Sequence, residues 1–240
     1  MTETETPTVA PSGEASEAGP APVTELYLLL ARCFSYPGRD LYEALGGKTL
    51  GDELKALVAA LPFDFQSREL PSPSLDWEDF ESEYISTFDI SPACPLYESS
   101  YAREDMSSRD LYEEIVRFYR HFDITLPASG RDYHDHLVAE LEFMAFLSSK
   151  EADARRRDGD AEPYQRAQRD FLERHLGRWV GVLHERVEQH TREQFYKGAT
   201  GLLVNLVERH HRHLQDELAK ADSAPRVEQE GSRSAEKESQ

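Results

Sequence analysis

Two stretches of the 240-residue chain carry side chains whose types and spacing suit chemistry: Cys94-Pro95-Leu96-Tyr97-Glu98-Ser99-Ser100-Tyr101, and Asp135-His136-Leu137-Val138-Ala139-Glu140-Leu141-Glu142-Phe143-Met144. In the second, His136 and Glu140 fall four apart and share one face of a helix, with Leu137, Leu141 and Met144 forming an adjacent apolar stripe. In the first, Tyr97 and Tyr101 supply large, semi-rigid faces with polar ends, on a segment restricted by proline. Glu98, Asp135, Glu140 and Glu142 could draw a guanidinium while an apolar groove takes the greasy part of the same peptide. Charge would orient such a ligand, and buried apolar area would supply most of its affinity.

The same residues also admit structural roles. Tyr97 and Tyr101 could cover helix ends, Glu98 could be a solvated loop residue, Asp135 could cap a helix, and His136 could bond to a neighbouring helix end. Phe171, His175 and Trp179, spaced by four, read as one aromatic ridge that either packs in the core or walls a groove.

Catalytic and metal chemistry fit less well. His134, His136 and Glu140 lack the His-Glu-x-x-His order of a zinc protease, because Glu140 stands where the second histidine is needed. His210, His211 and His213 read as solvated or dipole-compatible residues near a helix end. Ser99, Asp135 and His136 make a poor hydrolytic relay, since adjacent Asp135 and His136 point different ways around a helix. There is no Gly-rich phosphate loop after a strand and no Gly-x-Ser-x-Gly elbow. The expectation is a protein that is not an enzyme and carries no cofactor or metal of its own.

Charge narrows the partners. With 46 acidic and 27 basic residues, the formal charge of -19 opposes unaided binding to nucleic acid or anionic lipid, so a partner should bring positive charge. Cys33 and Cys94 form no paired metal motif and require no oxidising compartment. No apolar run is long enough to span a bilayer, and the first residues lack the basic and apolar parts of a secretory signal, so a cytoplasmic protein without stable membrane insertion is expected.

The elements that must position these residues read as helices. Apolar periodicity predicts helices near 24–34, 39–46, 50–61, 77–88, 108–122, 133–155, 161–189 with a break near Gly177, and 191–218. Asp76 should cap the fourth of these, and Pro127 to Gly130 should mark a break. No stretch alternates with period two, so the fold class is all-α, with about seven to nine helices and no sheet. Residues 1–21 and 220–240 read as disordered tails around one helical domain, 22–219.

Glu83-Tyr84-Ile85-Ser86-Thr87-Phe88 followed by Pro95-Leu96-Tyr97-Glu98-Ser99-Ser100-Tyr101 resembles the first conserved stretch of the TorD/DmsD/NarJ family of molybdoenzyme maturation chaperones. Asp135-His136-Leu137 through Glu140-Leu141-Glu142-Phe143-Met144 resembles the second, and Phe171-Leu172-Glu173-Arg174-His175-Leu176 with Trp179 a weaker third. The first loop departs from the commonest version, because Cys94 precedes Pro95 and Leu96 intervenes before Tyr97.

The resemblance implies an all-helical chaperone that binds the twin-arginine signal or N-terminal leader of a molybdoenzyme catalytic subunit and holds that subunit for cofactor insertion. Peptide contacts would then fall on Tyr97, Glu98, Ser99, Tyr101, Asp135, His136 and Glu140, with Leu137, Phe143, His175 and Trp179 as groove wall. The competing reading is a non-catalytic helical scaffold or assembly protein for a basic partner. Monomer and dimer are equally compatible with the sequence.

Overall fold

Pro22 opens the first helix, α1 (Pro22–Phe34), where the missing proline N–H would have had no helical partner. The structure, a computed structural model, describes residues 21–47, 49–66, 70–101, 107–124 and 134–223. Most of both expected tails, Tyr133 and the expected break at Pro127 to Gly130 lie outside these residues. Along α1, Leu26, Tyr27, Leu30 and Phe34 are wholly buried, a spacing that turns one helical face to the core.

Next come α2 (Arg39–Gly46) and α3 (Thr49–Ala59), which turn Leu41, Leu45, Leu50 and Leu54 inward. Asp76 caps α4 (Trp77–Tyr84) as expected, its carboxylate accepting from the Asp79 amide at 3.0 Å. The helical path then widens into a π-turn, Ile85–Asp89. Ser107 caps α5 (Ser108–His121), accepting from the Asp110 amide at 3.2 Å.

α6 (Leu137–Arg156) buries Leu137, Leu141, Phe143, Met144 and Leu147. The helix expected over 161–189 is three pieces: α7 (Glu162–Phe171), a second π-turn (Leu172–Leu176), and α8 (Gly177–His190). A Cβ on Gly177 would lie 2.5 Å from the Leu172 carbonyl oxygen, so the widened turn needs a residue without one. The last helix, α9 (Gln194–Ser223), starts inside its expected bounds and ends beyond them.

Among the described residues there are nine α-helices and no sheet; the one β-type contact is an isolated antiparallel bridge between Tyr97 and His136. α1 packs chiefly on α6, α8 runs along α9, and α7 touches both α6 and α9. Thr24 ties α1 to α6 by donating to the Ser148 hydroxyl at 3.1 Å, and Tyr27 reaches His210 of α9 at 2.9 Å.

Two buried carboxylates fasten the α8–α9 turn. Glu83 accepts from the Thr191 hydroxyl at 2.7 Å and the Arg192 amide at 2.8 Å. Glu193 accepts from the amides of Ser74, Leu75 and Phe195 at 3.0–3.1 Å, which binds the extended 70–76 segment to the bundle. Among the described residues no helix is long and apolar enough to cross a membrane. Cys33 and Cys94 are buried free thiols.

Candidate functional site

The aromatic segment is pinned to the start of α6 by backbone. Leu137 donates its amide to Leu96 O at 2.8 Å, and Glu98 donates to Asp135 O at 2.9 Å, on either side of the Tyr97–His136 bridge. Upstream, the Cys94 amide bonds Thr87 O in the first π-turn at 2.9 Å. Downstream, residues Glu98–Tyr101 form a 3-10 turn. The two stretches singled out by their chemistry are therefore direct neighbours, with the Tyr97 and His136 rings edge to face at 4.9 Å.

His136, not Asp135, is the N-cap of α6: its Nδ1 accepts from the Val138 amide at 3.2 Å. Asp135 turns away to accept from the Ser99 amide at 3.1 Å, so it holds the 3-10 turn. This division explains why α6 begins at Leu137 and not near residue 133.

Burial divides the candidate residues. Tyr97, Ser99, Tyr101 and His136 are half-buried and reach the surface, whereas Glu98, Asp135, Glu140, Leu137, Phe143, His175 and Trp179 are buried. Of the four carboxylates expected to draw a guanidinium, Glu98, Asp135 and Glu140 thus lie beneath the turn, and Glu142 is exposed on α6. Glu98 accepts from His175 Nδ1 at 3.0 Å, and Glu140 accepts from Trp179 Nε1 at 3.3 Å. Burial, and then the charge of Glu98, hold the Glu140 carboxyl well above the usual glutamate range.

The second π-turn delivers His175 to this cluster, an offset that a plain α-helix through Phe171 and Trp179 would not produce. On its far side, His175 Nε2 lies 3.8 Å from Glu114, which is paired with Arg174. Tyr119 of α5 donates to His134 O at 2.9 Å and closes the floor against Phe143 at a ring separation of 4.6 Å. Tyr101 packs on Trp179 at 5.2 Å, and the guanidinium of Arg186 lies over the Tyr101 ring. Glu114 and Arg186 carried no sequence signal, because each joins the site across long chain separations.

In chemical terms the site is an aromatic and imidazole surface on a polar, carboxyl-rich base. Among the described residues no group of three or more His, Cys, Asp or Glu is arranged to hold a metal ion. Such a base can orient the turn above it, and the turn can offer ring faces and hydroxyls to a peptide.

Fold and sequence together define the class. A profile of the nitrate reductase delta subunit family matches residues 48–185, and the chain belongs to that family, within the TorD/DmsD/NarJ redox enzyme maturation chaperones for molybdoenzymes. It is similar to the chlorate reductase assembly chaperone protein of Ideonella dechloratans, 35% identical over 198 residues that cover 81% of this chain and 91% of that one. The selenate reductase assembly chaperone protein of Thauera selenatis is 34% identical over 80% of this chain and 89% of its own. The perchlorate reductase assembly chaperone protein of Dechloromonas aromatica is 31% identical over 81% and 91% respectively.

Proposed function

We propose that the chain binds the N-terminal leader, a twin-arginine signal or its remnant, of an immature DMSO-reductase-superfamily catalytic subunit, and holds that subunit in the cytoplasm while its molybdenum cofactor is inserted. The observation that carries this reading is the backbone pairing of Leu96–Glu98 with Asp135–Leu137, which presents Tyr97 and His136 side by side at the surface. Tyr97, Ser99, Tyr101 and His136 make the direct contacts; Glu98, Asp135 and Glu140 hold them from below. The relatives named above assemble reductases of chlorate, selenate and perchlorate, which favours an oxyanion reductase as the client.

The formal charge of -19 draws a basic leader toward the chaperone and makes the encounter sensitive to salt. Release follows when the loaded subunit folds and withdraws the surface being held.

The test is a pull-down of the catalytic subunit followed by titration of its N-terminal peptide. Tyr97→Ala and His136→Ala, each checked for an unchanged melting profile, should weaken the peptide by roughly tenfold, as expected for a loss of about 1.4 kcal/mol. Wild-type affinity in both folded variants would refute this surface as the leader site.

A further inference from the structure

Glu98 and Glu140 bring two carboxyl groups into the core, where among the described residues one imidazole and one indole N–H are set against them. Glu140 is wholly buried; Oε2 accepts from Trp179 at 3.3 Å, and Oε1 has no hydrogen-bond partner among the described residues. Glu98, 3 % exposed, is committed to His175 Nδ1 at 3.0 Å. Asp135, 5 % exposed, adds a third carboxylate from the start of α6.

The other elements add little positive charge nearby. From α5 come the Tyr119 phenol and Glu114; from the second π-turn come His175 and Arg174, the last already paired with Glu114. From α8 come the neutral Trp179 and, farther out over Tyr101, Arg186, while α6 itself carries exposed Glu142. Two ionised carboxylates in such a space repel strongly, since burial removes the water that would screen them.

We propose that the enclosed Glu140 carboxyl, one oxygen of which has no hydrogen-bond partner among the described residues, keeps its proton in the folded protein, and that this proton locks the 97–101 turn onto the start of α6. With the proton in place, a single negative charge faces His175, and the turn stays seated through the Glu98, Ser99 and Leu137 amides. When the proton leaves for solvent, the second charge is relieved most cheaply by moving Glu98 outward. Glu98 belongs to a four-residue 3-10 turn, whereas Glu140 is fixed within α6 and tied to Trp179. That movement breaks the pairing to Asp135 and separates Tyr97 from His136. Its consequence for a leader rests on the function proposed above; the lock itself does not.

The sign follows from Glu140, whose folded value is raised above its ordinary 4.5. The stabilisation is complete below 4.5 and is lost as pH rises through the folded value, by up to about tenfold in folding constant per pH unit. The experiment compares the full chain with Glu140→Gln, whose amide oxygen still accepts from Trp179, by urea unfolding from about pH 5 to about pH 8.5.

Hydrogen exchange of the Glu98, Ser99 and Leu137 amides, normalised to amides of α9, reports the turn itself. The expected result is a wild-type loss of folding constant and of local protection with rising pH, both flattened in Glu140→Gln. Parallel pH profiles for the two proteins, or turn protection that does not change with pH, would overturn the lock. If Glu140→Gln fails to fold, Glu98→Gln must reduce the total loss of folding constant accumulated by about pH 8.5, because burial still raises Glu140 but the neighbouring charge no longer does, and an unaltered total loss there overturns the lock equally. Absence of leader binding at every pH would instead refute the proposed function while the amide result still decides the lock.

Discussion

The guanidinium carbon of Arg186 lies 4.6 Å from the centroid of the Tyr101 ring, which also packs on Trp179 at 5.2 Å. Trp179 and Arg186 are seven residues apart on α8 and so meet Tyr101 from one helical face. The protein's own guanidinium thus occupies an aromatic face that an arginine of a basic leader would also favour. Replacing one such cation by another is nearly neutral in energy, so on the function proposed above Arg186 would be an internal competitor for the leader.

Arg186→Ala should therefore tighten an arginine-bearing leader by about two- to fivefold, the equivalent of an exposed cation–π contact of about 0.5–1 kcal/mol. Isothermal titration with the client's N-terminal peptide checks it. Weaker binding in the variant would mean that Arg186 contacts the client directly, and unchanged binding would mean that the Tyr101 face is not used.

Glu193 is wholly buried yet receives three backbone amides. Glu193→Ala leaves those donors without an acceptor and frees the 70–76 segment, which should cost about 3 kcal/mol or more. Urea unfolding should show a lower midpoint with nearly the same slope. A midpoint within error of wild type would show that the segment is held elsewhere.

His210 adds an acid-sensitive term. It bonds Tyr27 at 2.9 Å and stacks on Phe63 at 5.5 Å, and burial, followed by His213 and His211, pushes it down from 6.5 to about 3. Its contribution is present above 6.5 and is lost as pH falls toward about 3, by up to about tenfold in folding constant per unit. His210→Gln should be less sensitive to acid than wild type when unfolding at about pH 4.5 is compared with that at about pH 7. His134, His211 and His213 are lowered too, so a residual slope should persist. Acid loss through His210 and alkaline loss through Glu140 oppose each other, which places the optimum between them.

Cys33 and Cys94 should be inert in the native protein. Burial pushes their thiols up to about 12 and about 11, so little thiolate forms near neutrality. A colorimetric thiol reagent should titrate neither residue until denaturant is added and then titrate both. Rapid reaction of Cys94 alone would show that the 94–101 segment opens independently of the bundle.

Much of the helical framework was legible because it depends on local repetition. Leu26, Leu30 and Phe34, or Leu50 and Leu54, need only the 3.6-residue period to declare a buried face, and Asp76 announces its helix by its position. The start of α6 was less legible. Asp135 and His136 are both able to cap, and His136 prevails because the Ser99 amide, 36 positions from Asp135, claims that carboxylate.

By itself, then, the sequence determined an acidic, helical chain whose chemistry is concentrated in residues 94–101 and 135–144, for charge and periodicity are properties of neighbouring residues. Only the tertiary structure decided that Glu98 meets His175 across 77 positions, that Glu140 is enclosed with it, and that Tyr97 and His136 remain at the surface. A π-turn and the crossing of α6 with the aromatic segment set those distances. The physical reason is that burial of a charge depends on everything packed around it, which no local spacing encodes.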